Sequence, residues 1–204
     1  MPTLEGDKTM RSLHLEKKGL RGLAIAESFK QNSTKSIFSG VVMRRDFVID
    51  GFVFESATLE GDDATNTILK MYENLQRTDI SFLLISGLIL SMYNIVDIKQ
   101  LYAALKIPII GLSYHNSSGL YDALKYHFPK SYSSKVNQYR ELGSRTKITL
   151  NTSHDVFVRK EGCTIEDATH LLNSLTLHGS VPEPIRISKL LANTLFQKQQ
   201  QLSL

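Results

Sequence analysis

The sequence places three acidic residues within four positions, Glu60, Asp62 and Asp63, in the segment LEGDDAT. Carboxylate oxygens are the ligands that Mg²⁺ prefers, so this segment could form a platform for a metal ion. Aspartate also caps helices by accepting hydrogen bonds from free backbone N–H groups, and a helical apolar stripe begins at Ala64. Both roles fit the pattern. Metal-assisted phosphodiester cleavage would need further acids, because two ions about 4 Å apart must clamp the attacking and leaving oxygens.

Two other positions decide whether such a site is complete. The first apolar strand ends in Ala26-Glu27, and the buried run ISFLLIS ends in Ser86. Strand side chains alternate between faces, so Glu27 cannot take the direction of residue 26 without a bulge. The neutral hydroxyl of Ser86 is a poorer Mg²⁺ ligand than a carboxylate. The set of catalytic candidates is therefore Asp63, Glu60 and Glu27.

We predict a degenerate site, in which Ala26 and Ser86 supply no charge. Asp63 and Glu27 are the candidate metal ligands, and Mg²⁺ or Mn²⁺ would be the cofactor if the protein is active. One carboxylate cannot hold a two-ion clamp. The sequence thus favours an inactive site over a working one.

The order of elements predicts how these residues are positioned. Residues 22–29, 35–45 and 46–56 have the pattern of three antiparallel strands. Helices and strands then alternate, with helices over 63–77, from Ile95 to Leu105, and after a cap at Ser118, and with strands over 80–86 and 107–113. This order is that of a ribonuclease H-like α/β fold, a mixed five-stranded sheet with helices on both faces. A C-terminal hairpin and two more helices follow, one with a Thr164/Asp167 capping box and one opened by Pro184.

A basic segment over residues 125–160 carries eight Lys and Arg against two acids, while the whole chain has a net charge of only +4. Cations interleaved with aromatic rings suit phosphates and unstacked bases. A solvated basic loop with its rings in the core is the alternative. The predicted nucleic-acid-binding residues, which include two arginines at the hairpin of the second and third strands, are Arg44, Arg45, Lys130, Tyr132, Lys135, Tyr139, Arg140, Arg145 and Lys147.

Composition sets the class of protein. Hydrophobic residues make up 42% of the 204 residues and charged residues 22%, as in a globular protein. We expect residues 1–20 to be a charged extension, 21–197 a single domain and 198–204 a frayed tail. With a single cysteine, Cys163, the chain cannot form an internal disulfide. The sequence has neither a signal-peptide pattern nor a membrane-spanning run, which favours a cytoplasmic protein with no membrane contact.

Several segments together carry a resemblance to a known family: SGVVMRR, EGDDAT, ISGLILSMYNIVDI, LKIPII and HGSVPEPIRISKLLA. They resemble the archaeal domain-of-unknown-function family ninety-nine, itself similar to endonuclease V, from about Arg21 to Leu195. The resemblance implies a nuclease-like fold and a DNA or RNA partner. Where the family usually has Asp-Asp, this chain has Ala26-Glu27, and where it has a fourth-strand Asp, this chain has Ser86. Lys189 stands where the family often has histidine.

Three functions remain open at this stage. The first is a nucleic-acid-binding protein with an impaired metal site. The second is an active Mg²⁺- or Mn²⁺-dependent endonuclease that uses a rearranged set of Glu27, Glu60 and Asp63. The third is an interaction scaffold with protein partners. The sequence does not separate DNA from RNA and does not give the oligomeric state.

Overall fold

A seven-stranded mixed sheet forms the centre of the computed structural model, which describes residue 17, residues 19–117 and residues 119–202. The strand order is β3-β2-β1-β4-β7-β9-β8. A separate two-stranded hairpin, β5-β6, follows β4. The strands are β1 (Arg21–Ser28), β2 (Lys35–Arg44), β3 (Ile49–Thr58), β4 (Ile80–Ser86), β5 (Ile89–Leu90), β6 (Asn94–Ile95), β7 (Ile109–Ser113), β8 (Thr146–Thr149) and β9 (Asp155–Glu161).

Strand directions agree with the predicted order. β1, β2 and β3 pair antiparallel, and β1, β4 and β7 pair parallel. The predicted count of five strands is corrected to seven, because β9 pairs antiparallel with β7 and brings β8 into the same sheet. The carboxyl ends of the three parallel strands therefore lie along one edge, where open α/β sheets form their ligand crevice.

Helices cover both faces of the sheet, as predicted. The helices are α1 (Ala64–Asn74), α2 (Ile98–Leu105), α3 (Tyr121–His127), α4 (Tyr132–Glu141), α5 (Ile165–Leu175) and α6 (Glu183–Leu202). α1 and α2 pack in one hydrophobic core, and α5 and α6 in a second core on the opposite face. β4 shows why two cores form, since Leu83 and Ile85 enter the first and Phe82 and Leu84 the second.

Two local elements differ from the sequence prediction. The short β5-β6 hairpin stands between Ser86 and α2, so Ile95 belongs to a strand and not to the predicted helix. α4 forms within the basic segment, where we expected no helix. The buried residues of α4 are Lys135 and Val136, so the helix lacks the apolar stripe that periodicity would detect.

The helix ends test the predicted caps. Thr164 and Asp167 form the predicted capping box at the start of α5. Asp97 caps α2 by accepting a hydrogen bond of 2.9 Å from the backbone N–H of Gln100. The predicted cap at Ser118 lies outside the described residues. α6 remains helical to Leu202, across most of the segment 198–204. Within the described residues, no helix has the length and apolar character needed to cross a membrane.

Candidate functional site

Ala26 and Ser86 are neighbours at the carboxyl ends of β1 and β4. The parallel register sets Ile25 opposite Ile85, and Ala26 and Ser86 are the next residues on the two strands. Ala26 is fully buried, and its backbone N–H donates to the Oγ of Ser188 on α6 at 3.0 Å. Two carboxylates would lie side by side at these positions. The residues present are a methyl group and a neutral hydroxyl.

Tyr114, just after β7, fills part of the space beside Ser86. Burial raises the pKa of Tyr114 to about 12, an effect that the nearby Ser86 hydroxyl partly offsets. The phenolic oxygen is buried and makes no well-formed hydrogen bond within the described part of the chain. Ser86 and Tyr114 themselves therefore bring no negative charge to this side of the crevice.

The Glu27 side chain lies on the opposite face of the sheet from the Ala26 side chain, as strand alternation predicted. Its carboxylate accepts hydrogen bonds from the backbone N–H of Ser91 at 2.8 and 2.9 Å and from the Ser91 hydroxyl at 2.9 Å. Burial raises the pKa of the Glu27 carboxyl, and the opposing effects of Ser91, Lys189 and Ser36 do not cancel it. Both carboxylate oxygens of Glu27 are thus occupied by Ser91.

The partner of Glu27 is a strained turn. Ser91, Met92 and Tyr93 have φ values of 45°, 54° and 72°, a left-handed run without glycine. Such residues persist only where surrounding contacts hold them. Glu27 satisfies the buried Ser91 N–H, and the Ser91 carbonyl accepts from the Glu60 N–H at 2.7 Å. Glu27 therefore has a structural role, since it holds the turn of residues 91–93. The sequence does not reveal this role, because the contact exists only once the turn is folded against β1.

Asp63 is held by the end of β3 and by β6. It accepts from the Thr58 N–H at 3.0 Å, the Thr58 hydroxyl at 2.7 Å and the Asn94 amide at 2.6 Å. Burial alone would raise the pKa of Asp63, but these hydrogen bonds outweigh burial and the pKa is lowered. The predicted side-chain cap from Asp63 is absent; Asn94 Oδ1 instead accepts from the Ala64 N–H at 2.9 Å.

The residues present do not fit a pair of divalent ions. No group of three or more His, Cys, Asp and Glu side chains in the described residues could hold a metal ion. The predicted ligands Glu27 and Asp63 are each committed to protein donors, and Glu60 lies 3.9 Å from the His127 ring. The Lys189 ammonium donates to the backbone carbonyl of Glu27. A positive charge thus lies at the end of β1, where a metal site would need negative charge.

The predicted basic residues do not form one surface. Arg44 is paired in register with Arg21 at the amino end of β1, so Arg44 and Arg45 lie at the sheet edge opposite the crevice. Arg44 also forms an ion pair with Asp46. The order of strands already implies this position, because the β2-β3 turn follows the end of β2 that pairs with the amino end of β1. Arg44 and Arg45 are therefore too far from the crevice to contact a ligand bound there.

The structure also corrects the prediction that Lys135 contacts nucleic acid. The side chain is buried, and its ammonium donates to the Gly61 carbonyl at 2.7 Å, Asp62 at 2.7 Å and the Tyr93 carbonyl at 3.0 Å. The ammonium also lies 5.0 Å from the centre of the Phe128 ring. Lys135 thus joins α4 to the acidic loop and the left-handed turn, which leaves it unsuited to contact phosphate.

The other predicted residues keep some exposure. Lys130 and Arg140 are exposed, and Tyr132 and Tyr139 are half-buried. Lys147 is exposed but forms a 2.7 Å ion pair with Asp155. Lys130 and Arg140 are therefore the predicted cations with the greatest freedom to contact a phosphate backbone.

Arg145 lies in a cavity of about 410 Å³ at the carboxyl ends of β4 and β7. The cavity wall includes Ser86, His115 and Tyr139 together with a second arginine, Arg159 of β9. Burial lowers the pKa of Arg159, and the neighbouring charge of Arg145 acts in the same direction. Arg159 is one of the basic residues of the segment 125–160, but its place in this cavity depends on the pairing of β9 with β7, which the sequence pattern does not indicate.

Comparisons with known proteins agree with this architecture. The family model described as endonuclease dU matches residues 18–196. A UPF0215 protein of Pyrobaculum aerophilum is 31% identical over 170 residues, 83% of this chain and 91% of that protein. A protein of unknown function from Archaeoglobus fulgidus has a similar crystal structure, with a TM-score of 0.72, 23% identity and coverage of 86% of this chain and 97% of that chain.

A nucleic-acid complex is also among the similar structures. Endonuclease V of Ciona intestinalis, solved with a DNA that contains an inosine, has a TM-score of 0.57 and 13% identity, and the match covers 87% of this chain and 86% of that chain. At this level of identity the likeness concerns the fold. The predicted ribonuclease H-like fold of the endonuclease V type is confirmed.

Proposed function

We propose that this chain, which belongs to the family whose model is described as endonuclease dU, is a nucleic-acid-binding protein without a working two-metal site. The family membership agrees with the predicted resemblance to an endonuclease V-like archaeal family. The observation that carries the proposal is the neutral pair Ala26 and Ser86 at the ends of adjacent parallel strands. A two-ion mechanism needs carboxylates there to hold the ions. The chain keeps the scaffold and lacks the charge.

Binding is the part of the activity that this architecture can still support. The exposed Lys130 precedes α4, the exposed Arg140 lies in its last turn, and the half-buried rings of Tyr132 and Tyr139 lie on the same helix. Cations track the phosphate backbone, and aromatic faces accept unpaired bases. The DNA-bound Ciona endonuclease V shows that a protein of this fold binds a nucleic acid. A single-stranded DNA or RNA is the ligand class that this combination favours.

Salt-dependent binding tests the proposal. Fluorescence anisotropy with labelled single-stranded DNA and RNA would compare the wild type, a Lys130→Glu/Arg140→Glu variant and a Lys198→Glu/Lys17→Glu control with the same change in charge. Each lost phosphate contact should reduce the slope of log K against log salt by about 0.7. We expect weaker binding and a shallower slope for the first variant only. Equal behaviour of the two variants would contradict the proposed surface.

Cleavage assays test the proposal that the two-metal site does not work. The same oligonucleotides, and an inosine-containing duplex, would be incubated with Mg²⁺ or Mn²⁺, and we expect no metal-dependent cleavage. Cleavage that disappears in a folded Asp63→Asn variant would overturn the inactive assignment. Circular dichroism of the variant separates that outcome from loss of folding, because Asp63 also holds Thr58 and Asn94.

A further inference from the structure

The cavity at the ends of β4 and β7 contains two guanidinium groups without a carboxylate. Arg145 and Arg159 both line it, and none of its described lining residues is Asp or Glu. Within the described part of the chain, none of the ten ion pairs involves Arg145 or Arg159. Two like charges held together in a partly buried space are unfavourable unless an anion compensates them.

Neutral groups orient both arginines without removing their charge. Arg145 donates to the carbonyls of Ser117 at 2.8 Å and His115 at 3.1 Å, and it lies 5.2 Å from the Phe157 ring. Arg159 donates from Nε to the Gly143 carbonyl at 2.9 Å and lies 5.7 Å from the Tyr139 ring. A guanidinium carries five N–H donors, so Arg159 retains donors for a ligand. The pair is pre-positioned, which reduces the entropy lost on binding.

We propose that this cavity binds a phosphate monoester carried by a nucleoside, either a free nucleotide or the phosphorylated end of a strand. A monoester has a charge between about −1.5 and −2 at pH 7, which matches two guanidinium groups better than the single charge of a diester. The volume of about 410 Å³ lies in the range of small-ligand pockets. The hydroxyls of Ser113 and Ser117 accept from Arg145 at 3.4 and 3.3 Å and help to hold it. The Ser86 hydroxyl adds a polar group to the cavity wall, and Leu88 and Leu120 supply an apolar wall for the attached group.

If the ligand is the phosphorylated end of a strand, which we call the strand-end form, the inference rests on the proposed function and specifies the class of nucleic acid that is bound. The binding surface of α4 contributes Tyr139 to the cavity wall. A strand that tracks Lys130 and Arg140 could therefore end with its terminal phosphate between the two arginines. The free-nucleotide form would stand without strand binding.

Calorimetry with small ligands tests the phosphate site itself. Adenosine 5′-monophosphate, adenosine and inorganic phosphate would be titrated into the wild type, Arg159→Gln, Arg159→Lys and a control, Arg186→Gln, whose side chain pairs with Glu183 outside this cavity. We expect the monophosphate to bind at least about tenfold more tightly than adenosine, and Arg159→Gln to weaken it by about tenfold or more. Arg159→Lys should lose less, and Arg186→Gln nothing. Equal affinity for adenosine and its monophosphate, or an unchanged Arg159→Gln, would overturn the proposal.

Binding measurements with different oligonucleotide ends distinguish a failure of this inference from a failure of the proposed function. The same strand would be measured with and without a 5′- or 3′-terminal phosphate. Preference for a phosphorylated end that Arg159→Gln abolishes supports the strand-end form. Equal binding of all ends, with no binding of the monophosphate, would overturn the phosphate site while leaving nucleic-acid binding intact. Binding of the monophosphate by a protein that binds no oligonucleotide would support the free-nucleotide form and contradict the proposed function.

Discussion

The ammonium of Lys189 on α6 donates a hydrogen bond to the backbone carbonyl of Glu27 at the end of β1. The contact brings a fixed positive charge to the strand end that would carry a metal-binding acid in a two-ion nuclease. Together with the buried methyl group of Ala26, it makes this edge of the sheet a poor place for divalent cations. The end of β1 thus offers a methyl group and a positive charge, and not the carboxylate that a two-ion site requires.

Glu27 should make the stability of the protein fall as pH rises. Its folded pKa is raised, chiefly by burial, from the ordinary value of 4.5. The folded state therefore binds the proton more strongly than the unfolded state, and stability falls between pH 4.5 and the raised pKa. Glu27→Gln keeps an acceptor for Ser91 and removes this dependence. Denaturant unfolding from pH 4 to 8 should show the wild type losing stability relative to the variant as pH increases.

A matched control for Glu27 is Glu73→Gln, which removes one exposed carboxylate from α1. A wild type that gained stability relative to Glu27→Gln with increasing pH would show that the ionised carboxylate is favoured by the fold. That result would contradict the role assigned to burial.

Strand alternation explains why part of this site could be predicted. The separation of Glu27 from the direction of residue 26 follows from a local rule, and the structure has it. The Ser91 turn, by contrast, is formed by tertiary contacts with Glu27, Glu60 and Ser36, which no pattern within 91–93 encodes. The same holds for Arg159, whose place in the cavity depends on the pairing of β9 with β7.

Lys135→Met should destabilise the fold and leave nucleic-acid binding of the folded protein unchanged. The substitution removes three hydrogen bonds of a buried ammonium and leaves the Gly61 and Tyr93 carbonyls without this partner. We expect a loss of about 1–3 kcal/mol in the free energy of unfolding. Lys130→Met, at an exposed position, should do the reverse, with little change in stability and weaker binding. A well-folded Lys135→Met with a reduced salt slope would show that Lys135 contacts phosphate after all.

Lys135 also shows a limit of charge patterns. Basic residues and aromatic rings alternate along 125–160, but which cation is buried depends on how α4 packs on the loop of Asp62. Charge density along the chain could not distinguish Lys135 from Lys130. Burial, with its cost for an unpaired charge, decides the difference.

Ser188 should be important for attaching α6 to the sheet. It is fully buried, accepts from the Ala26 N–H at 3.0 Å and donates to the Ser39 carbonyl at 2.7 Å. Ser188→Ala would leave the Ala26 N–H unsatisfied in the interior, at a cost of about 1–3 kcal/mol. Thermal unfolding should show a midpoint lower by about 2–4 °C for each kcal/mol lost. The exposed Ser133→Ala is the control, and equal midpoints for the two variants would refute this role.

Calorimetric titration of the wild-type protein with Mn²⁺ tests the central claim most directly. Ala26 and Ser86 give the crevice no charge, and the oxygens of Glu27 and Asp63 already accept hydrogen bonds from Ser91, Thr58 and Asn94. We predict heats equal to those of dilution, with no saturable binding of paired ions. Saturable binding of two Mn²⁺ ions per chain, lost in a folded Asp63→Asn variant, would contradict the account of a crevice without a metal site.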